Sequence, residues 1–126
     1  MTKNQRKETI QRLLHAPLLS FEVKAYMKKL KKQVQWRNGD RNAITLLKSS
    51  TLRIVLVGLR KGATMREHQV EGPIALFVLE GMIRLILGAK KYRLLSNSLI
   101  TLHETIPHDA EAVRDSVFLL TIVPPQ

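Results

Sequence analysis

The spacing of hydrophobic and polar positions along this chain changes period close to residue 40. Ahead of that point it is helical. Ile10, Leu13 and Leu14 predict one short amphipathic helix over 2–15, ended by Ala16-Pro17 because a residue preceding proline is pushed out of the α region. Over 21–36, Val23, Met27, Leu30 and Val34 recur at four, three and four, which stacks them on one face of a second helix. Arg37-Asn38-Gly39-Asp40 predicts a turn, with Asn-Gly favouring positive φ. The texture then becomes short runs rich in β-branched residues, over 43–48, 52–59, 74–79, 82–87, 92–95, 99–102 and 117–123. Lys61-Gly62, Gly81, Gly88, Ser96-Asn97-Ser98 and Pro107 punctuate them. About seven closely spaced strands with no helix after residue 36 predict a mainly β protein, an antiparallel sandwich or barrel preceded by one or two short N-terminal helices.

Length and composition set the scale. A chain of 126 residues with 44% hydrophobic content fits one compact domain, read as a basic helical extension over 1–36 and a β-barrel over 37–126. The absence of cysteine excludes a disulfide framework, a thiolate metal site and cysteine nucleophilic catalysis, and suits a cytoplasmic protein. The first nine residues are polar and charged, the apolar run after them is too short for a secretory core, and no run approaches the roughly 18 residues of a membrane span.

Charge divides the chain. Of the net +11, residues 1–66 hold 16 Lys and Arg against 3 acids, whereas 67–126 hold 5 against 7. A basic face concentrates anions. Lys24, Lys28, Lys29, Lys31 and Lys32 cover the polar side of the second predicted helix, either as an ordinary solvated face or, through Lys24, Lys28, Lys31 and Lys32, as a surface that meets an anionic partner. Aromatic platforms for stacking bases are scarce, with Tyr26 and Trp36 nearby and Phe77, Tyr92 and Phe118 beyond.

Catalytic signatures are few. There is no G-x-S-x-G elbow around the serines at 49–50 or 96–98 and no phosphate-cradling glycine motif. The stretch 67–81, EHQVEGPIALFVLEG, is different: it sets His68 ahead of an apolar run that closes on a Glu80-Gly81 corner, where Glu80 reads as capping a turn.

These residues carry a resemblance. Gly62, His68, Gly72-Pro73 and Val78-Leu79-Glu80-Gly81, followed by Ile106-Pro107-His108 and Phe118-Leu119-Leu120-Thr121, resemble the two motifs of the small single-domain cupins. Residues 36–49, with Arg41-Asn42-Ala43 and Thr45-Leu46, are similar to the lead-in of an uncharacterised subgroup. The resemblance implies an antiparallel β-jelly roll over about two-thirds of the chain. It does not imply one activity, because that barrel serves oxygenases, isomerases, epimerases, storage proteins and ligand sensors.

It also implies a metal-ligand set, from which this chain departs. Metal-binding cupins place two histidines and a glutamate of the first motif and one histidine of the second around a divalent ion. His68 fills the first slot and His108 the last, but the second histidine falls on Val70 and the glutamate on Ile74. In the second motif the expected proline, glycine and asparagine fall on His103, Thr105 and Ala112. Iron, manganese, nickel or zinc would need a third ligand, from Glu67, Gln69, Glu71 or His103. Strand alternation from His68 turns 67, 69 and 71 to the opposite face unless a bulge near Gly72-Pro73 intervenes, and His103 lies an odd five residues before His108.

The expectation is therefore a small cupin that binds a small molecule in a barrel pocket, with His68 and His108 as polar contacts and Val70, Ile74 and Phe77 as apolar walls. The two histidines serving packing alone is the plainest alternative. A divalent-metal-dependent oxygenase or isomerase and an interaction module using the basic helix are the others. A homodimer that covers edge strands is expected as well.

Overall fold

A computed structural model describes residues 17–66, 73–103 and 107–124. The helix expected over 2–15 lies outside them. Among the described residues two helices, α1 (Val23–Lys32) and α2 (Val34–Asn38), precede nine strands: β1 (Arg41–Lys48), β2 (Arg53–Leu59), β3 (Thr64–Met65), β4 (Ile74–Glu80), β5 (Met82–Leu87), β6 (Lys90–Leu95), β7 (Leu99–Leu102), β8 (Asp109–Ala112) and β9 (Ser116–Ile122). They form a five-stranded sheet in the order β1-β2-β9-β4-β7 and a four-stranded sheet in the order β3-β8-β5-β6. Every pairing is antiparallel. The expected jelly roll is what forms.

All seven expected strands are present, together with two that the hydrophobic pattern does not predict. β3 is two residues long and β8 reads Asp-Ala-Glu-Ala, so neither carries the β-branched run that marks a strand in sequence. Pairing makes them: Thr64 and Met65 register against Glu111 and Ala110, and β8 registers against β5 from Ile83↔Ala112 to Ile86↔Asp109. Between the sheets lies the main core, with Val57, Leu59, Ile74, Leu76, Val78 and Phe118 from one side and Ile83, Leu85, Leu94, Ala110 and Ala112 from the other. Alternation along each strand supplies these inward residues.

The outer face of the five-stranded sheet is apolar too, and the helices cover it. Leu30 of α1 and Trp36 of α2 pack on Leu56 of β2 and Val117 of β9 in a second buried cluster. Gly58 of β2 makes this approach feasible. A Cβ there would stand 2.7 Å from Leu30 Cδ2 and 2.8 Å from Trp36 Cζ3, inside van der Waals contact. Asn42 fixes the end of α1, since its buried amide donates to the Leu30 carbonyl at 2.9 Å and to Gln33 Oε1 at 2.8 Å, satisfying a terminal carbonyl of the helix.

The single helix expected over 21–36 is broken at Gln33, whose φ of −75° and ψ of 150° are extended. The break rotates the residues after it. Val34, expected on the buried face, is 58% exposed, and Trp36 is buried in its place. Helix then continues two residues past 36, so Asn38 is helical and Gly39 is extended at φ −117°, ψ −168°, without the positive φ expected of Asn-Gly.

The Glu80-Gly81 corner is held from outside. Gly81 has φ +91°, and a Cβ there would collide with the Ser116 hydroxyl and come within 2.5 Å of the Asp115 carbonyl. The Met82 N–H donates to that buried hydroxyl at 2.9 Å. Glu80 forms an ion pair with Lys31 of α1 rather than capping the turn.

Next to it, Asp115 accepts from the Lys61 N–H at 2.8 Å and from Arg60 Nη1 at 3.1 Å, while Arg60 donates through Nε and Nη2 to the Trp36 carbonyl at 3.1 and 2.9 Å. The same guanidinium lies 4.3 Å from the Trp36 ring centroid. The Lys61 N–H and then Arg60 hold the Asp115 carboxyl below its ordinary value.

Two outcomes are expected. Gly58→Ala should lose about 1–3 kcal/mol in urea unfolding through overpacking. Most of that loss should vanish when Leu30→Ala and Trp36→Ala make room. For Asp115 the folded-state pKa is depressed, so its stabilisation is present above the unfolded value near pH 4 and lost as pH falls through the folded value. Asp115→Asn should lower stability at pH 7, and the gap in urea midpoint to the parent chain should start to close below about pH 4 and vanish only once pH has fallen through the depressed folded-state value.

Candidate functional site

A cavity of about 250 Å³ opens between the sheets at the end of the barrel away from the Glu80-Gly81 corner. Its walls follow from register. β4 and β9 pair with Ile74↔Ile122, Leu76↔Leu120 and Val78↔Phe118, so the alternate residues of both strands turn inward together. Ile74, Leu76, Phe118, Leu120 and Ile122 line that side. Met65 of β3 and its partner Ala110 of β8 line the other, and His108, one residue ahead of β8 and in phase with Ala110, completes it.

His108 is half-buried and is the one lining residue with a polar side chain among those described. A neutral imidazole offers one donor and one acceptor, so it can orient a polar group of a molecule held otherwise by apolar contact.

The expected site residues separate. His108 and Ile74 stand on the wall together, with Ile74 buried. Phe77 does not join them. It sits between the inward Leu76 and Val78 and so projects to the outer face, in register with Leu119 and Leu99. His103 is exposed, one residue past the buried Leu102, and is not on the wall. His68, Val70, Glu67, Gln69 and Glu71 lie outside the described residues. Leu76, Phe118, Leu120 and Ile122 are wall residues that sequence reasoning does not single out. Their period of two is visible in the chain, but which strands face the same cavity is not.

Among the described residues no three of His, Cys, Asp and Glu come together. Among the described residues His108 is the one potential metal ligand on this wall, and Ile74 stands where the resemblance implies a carboxylate, so the described wall supplies fewer than the about three protein ligands that a divalent ion takes.

No protein-family model matches the chain, and no curated protein matches it. Solved structures do. An RmlC-like cupin from Desulfovibrio desulfuricans superposes with a TM-score of 0.68 at 22% identity, covering 86% of this chain and 99% of that one. A cupin superfamily protein from Desulfitobacterium hafniense gives 0.66 at 15% identity over 68% and 78%. The fold is that of the cupins. The same barrel occurs in salicylate 1,2-dioxygenase from Pseudoaminobacter salicylatoxidans, with a TM-score of 0.73 at 14% identity, where 90% of this chain covers 40% of that larger one. Among the described residues no helix is long and apolar enough to cross a membrane.

Ile74 is therefore expected to act as a packing residue. Ile74→Ala should lose about 2–5 kcal/mol of unfolding free energy by urea titration.

Proposed function

We propose that this cupin binds a small molecule in the barrel cavity, with His68 and His108 as its polar contacts and Ile74 and Val70 among its apolar ones. One observation carries the reading: the imidazole of His108 faces a cavity of about 250 Å³ whose other described walls are apolar. That volume lies just below the usual range of ligand sites, roughly 300 to 1,000 Å³, so the occupant must be small. The chemistry suits a compact molecule with an apolar body and one polar or anionic group, which His108 would meet as donor or acceptor. Among the described residues the two sheets end at β1, β7, β3 and β6, and such edges favour assembly as a homodimer through one of them.

The test is a thermal-shift screen of the purified chain against small carboxylates, phenols and sugars, repeated on His68→Ala/His108→Ala. A hit should raise the melting temperature of the parent chain, bind it saturably, and lose at least about tenfold in affinity in the double variant, which should remain folded. Lys28→Gln/Lys32→Gln should change nothing. Iron, manganese, nickel or zinc at one per chain, lost in the histidine variant, would replace this reading with a metal centre completed from residues 67–71.

A further inference from the structure

Outside the barrel, a second concavity of about 490 Å³ runs between the segment preceding α1, the helix itself and strand β1. It has about twice the volume of the inner cavity and lies within the range of ligand sites. Phe21, Tyr26, Ile44 and Leu46 give it apolar walls, and Phe21 and Tyr26 brace each other edge to face with ring centroids 6.2 Å apart. Leu18, at its border, is 78% exposed. Its charged lining residues are Lys29 and Lys48, and no carboxylate lines it among the described residues. The five-stranded sheet creates this space because β1 is its edge and α1 packs most closely further in, over Gly58.

Charge complementarity chooses the occupant. Lys31 of α1 is paired with Glu80, whereas Lys29 of α1 and Lys48 of β1 make no ion pair among the described residues. An apolar channel with two unneutralised ammonium groups matches an apolar chain with an anionic head. The segment preceding Pro17 carries Lys3, Arg6, Lys7 and Arg12 against Glu8 and would meet these lysines with like charge. Nucleic acid would find few exposed aromatic faces on which to stack. A bilayer surface is flat, whereas most of this apolar area is recessed.

We infer that the groove between α1 and β1 binds a single-chain anionic amphiphile of the fatty-acid carboxylate class, its chain along Phe21, Tyr26, Ile44 and Leu46 and its carboxylate between Lys29 and Lys48. No covalent step is involved. The site is independent of the barrel cavity, so a cupin of this kind carries two ligand sites of different chemistry.

Isothermal titration of the full chain with submicellar dodecanoate tests this. Saturation near one per chain is expected, with affinity rising about fourfold per buried methylene from octanoate to dodecanoate. Lys29→Gln/Lys48→Gln should weaken dodecanoate about fivefold to tenfold without changing the circular dichroism spectrum or the melting temperature, because both side chains are exposed and hold no ion pair among the described residues. His68→Ala/His108→Ala should leave it unchanged. Absence of saturable binding, equal binding of dodecyltrimethylammonium, or an unaltered affinity in the lysine variant would overturn the inference. So would loss of binding in the histidine variant, which would put the chain in the barrel. Co-sedimentation with phosphatidylglycerol vesicles without saturable dodecanoate binding would also overturn it, in favour of a membrane surface.

Discussion

The close approach of Leu30 and Trp36 to the backbone of β2 at Gly58 is the contact on which the N-terminal half of the molecule depends. A five-stranded sheet with apolar residues on both faces needs a second layer, and the helices supply it only where the sheet has no side chain in the way. Around that point the polar groups are arranged to hold the layer in place. Asn42 closes the end of α1, Arg60 binds the Trp36 carbonyl and lies against its ring, and Lys31 reaches across to Glu80. The helical layer is thereby anchored to the barrel through a small number of specific contacts. Most of the lysines of α1 stay in water.

That anchoring shapes both candidate sites. Inside, the outer layer lets β2, β9 and β4 commit their alternate residues to a core that leaves a cavity at one end, where Phe118 and Leu120 face Met65, Ala110 and His108 across it. Outside, packing α1 at Gly58 leaves a gap toward the sheet edge, where β1 carries an irregularity between Thr45 and Leu47. Bulges of this kind twist an edge strand and loosen its fit to a neighbour. The fold therefore presents one recess with the His108 imidazole on its wall and another lined by the Lys29 and Lys48 side chains.

Part of the site is legible in the sequence, and the failures have physical causes. His108 and Ile74 are expected in the pocket and both line the cavity, Ile74 as the first residue of β4 and His108 two residues before Ala110 of β8 and in phase with it. Phe77 is expected there too, yet a one-residue difference in phase from Leu76 sends it to the outer face. Val34 fails for the analogous reason in a helix, since the extended conformation at Gln33 resets the rotation and substitutes Trp36.

Periodicity in this chain is enough to determine a helical start, an antiparallel β body and the strands with strong apolar runs, because a strand half-buried in a sheet and a helix lying on a core each impose their own repeat. The uneven charge and the candidate histidines are equally legible as residue types. Tertiary structure alone decides that β3 and β8 exist, that Gly58 is the seat of Trp36, and which wall residues share a cavity. Those outcomes rest on pairing between residues distant in sequence, such as Met65 with Ala110 and Leu76 with Leu120, and a local pattern has no means of recording which distant strand becomes its neighbour.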